Sequence, residues 1–137
     1  MCEAQFMAKP KNKAAKMEKK MNILVELSNE FSVDIMNICS LIKQNKKSSA
    51  VSNQLLRSGT SIGANIHEGN YASSKPDFIN KFQIALKECF ETEYWLKLFK
   101  ETSVISEEEY KKLSSKCSKI RVLLASSIKT AKENLKK

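Results

Sequence analysis

Two glycines four residues apart inside an amphipathic run constrain this chain more than any other feature. Val51, Leu55, Ser58, Ile62, Asn65 and Ile66 recur at the i, i+3, i+4, i+7 spacing of one helix face. A second face, Ser52, Leu56, Gly59, Thr60 and Gly63, is built almost wholly of small residues. Glycine inside a helix costs roughly 1 kcal/mol relative to alanine, so a pair on one side points to a use. Without a Cβ at Gly59 and Gly63, the backbone of another helix can lie close. The segment reads as a helix packed on two sides, with the other helices arranged around it.

The rest of the chain supplies those helices. Over residues 22–45, Leu24, Leu27, Phe31, Ile35, Ile38 and Ile42 form a helical stripe. Lys46, Lys47, Ser48 and Ser49 make the connection, with Ser48 or Ser49 able to cap the glycine-bearing helix. After a break near Gly69 and Asn70, Ser74, Pro76 and Asp77 mark a third start. This third helix, over 76–101, carries Phe78, Phe82, Ala85, Cys89 and Leu96 on one side. Ile84, Tyr94, Trp95, Leu98 and Phe99 stand elsewhere around it, a surplus that implies a neighbouring subunit. Ser106 and Glu109 form a capping box for a fourth helix, whose core stripe runs from Tyr110 through Leu113, Cys117, Ile120, Leu124, Ile128 and Ala131 to Leu135. Val122 and Leu123 point away from that stripe. The fold expected is all-α: an antiparallel up-down-up-down four-helix bundle over 22–137, homo-oligomeric, behind a basic N-terminal tail over 1–21 that is disordered or a frayed helical extension.

Composition narrows the chemistry. With 137 residues, three glycines and two prolines, the chain suits one domain of long helices. No apolar run is long enough for a membrane span or a signal peptide, so a cytoplasmic protein is expected. Cys2, Cys39, Cys89 and Cys117 lack metal or redox spacing and read as small core hydrophobes. The net charge of +9 is segregated. Residues 1–21 carry six basic and two acidic groups, the middle of the chain is balanced, and residues 102–137 carry nine basic and four acidic. Such a distribution suits a polyanion partner or a solubilising surface.

At this point the residues carry a family likeness. Gln54-Leu55-Leu56-Arg57-Ser58-Gly59-Thr60-Ser61-Ile62-Gly63-Ala64-Asn65-Ile66-His67-Glu68 resembles the signature of the 23S rRNA-intervening-sequence proteins. Lys75-Pro76-Asp77-Phe78, Ala85-Leu86-Lys87-Glu88 and Glu91-Thr92-Glu93-Tyr94-Trp95-Leu96 are similar to that family's third helix, and the likeness spans residues 22–135. The resemblance implies a non-enzymatic four-helix bundle assembled as a homopentamer. More distantly, the chain resembles the accessory variability proteins of diversity-generating retroelements. Those are basic pentamers that bind nucleic acid and a reverse transcriptase.

The candidate site residues fall into three groups. Lys111, Lys112, Lys116, Lys119, Arg121, Lys129, Lys132 and Lys136 are candidates for sequence-independent contact with RNA or DNA phosphates. Gly59, Gly63, Tyr94, Trp95, Phe99, Val122 and Leu123 are candidates for helix packing or contact between copies. Glu93 shares a face with Phe82, Leu86, Cys89 and Leu96, where a lone carboxylate is costly. It is therefore expected either to centre a buried polar network with Arg57, Ser58 and Asn65, or to reach water at the rim. Arg57 itself suits an ion pair with carboxylates of the third helix better than a phosphate contact. No catalytic residue, cofactor or metal is expected: His67 stands alone, and a di-iron bundle needs a Glu-x-x-His pair on two helices. The alternative to nucleic-acid binding is a protein-interaction scaffold, for example for a reverse transcriptase.

Overall fold

A computed structural model describes residues 12–45 and 49–136. Among them there are four α-helices and no strand: α1 Lys13–Gln44, α2 Ser49–Asn70, α3 Lys75–Glu101 and α4 Glu107–Leu135. Each helix packs on the next, and α4 returns to pack on α1. Residue numbers run in opposite senses across the α1–α2 and α2–α3 seams. Ile35 of α1 meets Gly59 while Ser32 meets Gly63, and Arg57 of α2 pairs with Glu88 while Gly69 meets Phe82. The shared core is built from Leu24, Phe31 and Ile35, then Leu55, Ile62 and Ile66, then Phe82, Cys89 and Leu96, then Cys117, Ile120 and Leu124, all nearly or fully buried.

Helix ends follow the local chemistry. The Ser74 side chain accepts from the Asp77 amide, with Pro76 in the first turn, where its missing N–H costs nothing. Ser106 and Glu109 form the expected reciprocal box at 3.0 and 2.8 Å. The proposed cap Ser48 lies outside the described residues.

Of the two readings of the basic segment before residue 22, disordered or a helical extension, residues 13–21 follow the second: Asn12 caps α1 by accepting from the Ala15 amide at 2.7 Å, and regular helix runs from Lys13. The physical reason is that Met17 and Met21 continue the stripe of Leu24 at helical spacing and pack on the core. The tail over 1–11 lies outside the described residues.

The glycines serve close packing. A Cβ at Gly59 would stand 2.9 Å from two carbons of Ile35, and one at Gly63 would stand 3.1 Å from the Ser32 hydroxyl and 3.4 Å from the Ser28 carbonyl oxygen. Gly69, read from the sequence as part of a break, lies within α2, where a Cβ would meet the Phe82 ring at 2.8 Å.

Candidate nucleic-acid interface

Since α4 gives one side to the core, its charged residues must cover the other. Lys111, Lys112, Lys119, Lys129, Lys132 and Lys136 are all exposed, and none has an ion-pair partner among the described residues. Lys116 and Arg121 differ, because they lie at the edges of the buried stripe. Lys116 reaches Asp34 of α1 at 2.6 Å and Glu30 at 4.0 Å. Arg121 donates from Nε to Glu93 at 3.0 Å, a bond that raises the guanidinium pKa further, and it lies over the Phe90 ring at 5.7 Å. Both cations clamp helix seams. The free positive surface is therefore six residues of the eight.

The extended α1 adds to that surface. Lys20 donates to the Ser126 hydroxyl at 2.7 Å, which fixes the first turns of α1 against the second half of α4. Lys13, Lys16 and Lys19, exposed and without ion-pair partners among the described residues, thus share one end of the molecule with Lys129 and Lys132. The Lys20–Ser126 bond thus brings two basic segments more than 100 residues apart in the chain to one end of the molecule.

The polar network is differently wired from the expectation centred on Glu93. The buried polar residue of α3 is Thr92, one position earlier: its hydroxyl hydrogen-bonds that of Ser58 at 2.9 Å and the Glu88 carbonyl at 2.7 Å. A step of one residue rotates a helical side chain by 100°, enough to carry Glu93 out of the α2 seam and into the groove beside α4. There it is only half-buried and pairs with Arg121. Asn65 bonds locally to the Ser61 carbonyl at 2.9 Å and does not join Ser58. Arg57 does form the expected ion pair, reaching Glu88 at 3.1 Å and also Glu91. Glu91 is held below its ordinary range, first by the Trp95 indole N–H at 3.2 Å and then by Arg57. Every described buried side-chain N or O atom has a hydrogen-bond partner.

Of the candidates for contact between copies, Gly59 and Gly63 are used inside the chain against α1. Phe99 is core, and its carbonyl accepts from the Val104 amide at 2.8 Å. Trp95 and Leu123 are half-buried against the same core. Only Tyr94 and Val122 stand clear, 56% and 60% exposed. The apolar surplus read at Phe99 and Trp95 is absorbed by the core, onto which the loop over 102–106 also folds Val104 and Ile105. Exposed apolar surface missed in the sequence lies instead on α1, at Ile23, Val33, Met36 and Leu41, and on α3 at Phe90.

Cys39, Cys89 and Cys117 are buried free thiols, and burial pushes Cys39 up to about 11. Cys2 lies outside the described residues. His67 is exposed, its ring set edge-on to Tyr71 at 5.2 Å. No described helix is long and apolar enough to cross a membrane.

Comparison with known proteins adds two findings. The sequence model of the family described as "23S rRNA-intervening sequence protein" matches residues 20–126. Among solved structures, the chain is similar to a protein of unknown function from the S23 ribosomal protein family of Bacteroides thetaiotaomicron. The two share 48% identity with a TM-score of 0.77, over 80% of this chain and 98% of that one. None of the curated proteins compared matches the chain.

Proposed function

From the premise that this chain belongs to the 23S rRNA-intervening sequence protein family, we propose that it is a non-catalytic, basic bundle that grips RNA or DNA by its phosphates, with little sequence preference. The observation that carries this reading is the set of exposed, unpaired lysines on α4 and on the first turns of α1, which the Lys20–Ser126 bond holds against α4. A polyanion replaces its condensed counterions with such lysines, and the release of those ions drives binding. The bundle is of the antiparallel up-down-up-down kind and acts in the cytoplasm as several copies, five by the family resemblance. The exposed apolar side chains of α1 and Val122 support that assembly, and repetition of those lysines around a ring raises avidity.

A filter-binding titration against structured RNA at several salt concentrations tests the reading. Affinity falls steeply with salt, and Lys112→Ala/Lys119→Ala/Lys129→Ala flattens the slope of log K against log salt by about two to three. Absence of binding at low salt by the folded protein overturns it.

A second reading, a scaffold for a protein partner such as a reverse transcriptase, is favoured by the apolar groove between α1 and α4. Ile23, Leu27, Val122 and Leu123 line it. That reading gains if the folded protein ignores RNA.

A further inference from the structure

Two aromatic rings on α3 face solvent in a chain that buries Phe31, Phe82 and Phe99. Phe90 and Tyr94, 54% and 56% exposed, stand four residues apart on one side of the helix. Lys87 and Lys97 flank them, one turn before and one turn after. Both lysines are exposed, and neither has an ion-pair partner among the described residues. From α4, Arg121 crosses the seam to lie 5.7 Å from the Phe90 ring centre, held by its bond to Glu93. The face thus alternates cation, ring, ring, cation.

We infer that this α3 face is a stacking platform for the unpaired bases of a single-stranded RNA, with Phe90 and Tyr94 each taking one base and Lys87 and Lys97 taking the adjoining phosphates. The inference rests on the phosphate-binding reading above and names the form of nucleic acid that it engages. Aromatic rings set between cations are the means by which proteins hold single strands without reading their sequence, because every base has a π-face. A duplex hides those faces in its own stack. A face-to-face contact with a second copy would bring lysines against lysines here, whereas a polyanion neutralises them.

The test is fluorescence anisotropy with a labelled 20-nucleotide oligouridylate and with an RNA duplex of the same length. For Phe90→Ala/Tyr94→Ala, single-strand affinity falls roughly tenfold or more, the salt slope stays as in the parent protein, and duplex affinity is unchanged. Phe90→Tyr/Tyr94→Phe keeps the single-strand affinity. Lys87→Gln/Lys97→Gln flattens the single-strand slope by about 1.4. The platform is overturned if the alanine pair binds the single strand as tightly as the parent, or loses both probes equally. It is also overturned if that pair lowers the sedimenting mass, which marks the face as a contact between copies. A parent protein that binds neither probe overturns the phosphate reading itself, a different result from parental binding that ignores the two rings.

Discussion

Thr92 and Ser58 meet at the centre of the α2–α3 seam with hydroxyls 2.9 Å apart, both fully buried. Glu93, next in the chain, bonds to Arg121 where water still reaches both side chains. The two positions should answer differently to loss of polarity. Thr92→Val keeps the shape and removes a buried bond, at a cost of about 1 kcal/mol. Glu93→Gln weakens an accessible pair worth no more than about 1 kcal/mol and keeps an acceptor in place. Urea denaturation should therefore show the larger fall in midpoint for Thr92→Val. A larger loss at Glu93 would return the carboxylate to the centre of the network. Acid response belongs to this scale as well. The pKa of Glu91 is lower folded than unfolded, so its contribution is present above the ordinary carboxylate range and is lost as pH falls through the folded value. Trp95→Phe removes the first cause of that shift, so the melting temperature of the variant should fall less steeply on acidification. At the other end Cys39 is raised to about 11. Stability is therefore lost as pH climbs from the ordinary thiol range through that value, and Cys39→Ala flattens this alkaline decline.

Among whole elements, α2 is the one whose composition is dictated by its neighbours. At Gly59 a new methyl would press on both branches of Ile35, a stiff, fully buried side chain. Overpacking of this kind costs about 1–3 kcal/mol, more than the roughly 1 kcal/mol of helix propensity that alanine returns. At Gly63 the nearest atom is the Ser32 hydroxyl, which can rotate away, and the next contact is ordinary. Gly59→Ala should therefore lower the thermal midpoint, while Gly63→Ala leaves it level or raises it. Equal losses would mean that α1 and α2 are closer at Gly63 than 3.1 Å implies. The same helices show what periodicity can reveal. Stripes of large apolar residues, the serine caps and the capping box were legible, because each is a local pattern with one physical outcome. The start of α1 was obscured by lysine density, although Met17 and Met21 carry the core spacing four residues apart. The choice between Thr92 and Glu93 was not legible, because a 100° step leaves both near the seam until the partner helices are in place. Which lysines are free was hidden for a similar reason: Lys116 and Lys119 look alike in sequence, and Asp34 and Glu30 on another helix separate them.

For the whole molecule, a net charge of +9 sets its two proposed associations against each other. Copies of a basic chain repel, and salt screens that repulsion over about 10 Å at 0.1 M. Contact between copies through Ile23, Val33 and Val122 would be apolar, and burial of apolar surface does not weaken with added salt. Grip on RNA phosphates has the opposite sign, because salt removes the advantage of releasing counterions. Sedimentation equilibrium from 50 to 500 mM salt should therefore show assembly holding or strengthening while the RNA affinity collapses. Val122→Asp places a charge in the apolar groove beside Ile23 and Leu27, so it should shift the protein toward single chains at every salt concentration. It should leave the intrinsic fold intact, because Val122 is 60% exposed. A mass of 15.5 kDa for the parent protein at all salt concentrations would remove self-association. The lysines of each chain would then act alone, and avidity would have no part in the grip on nucleic acid.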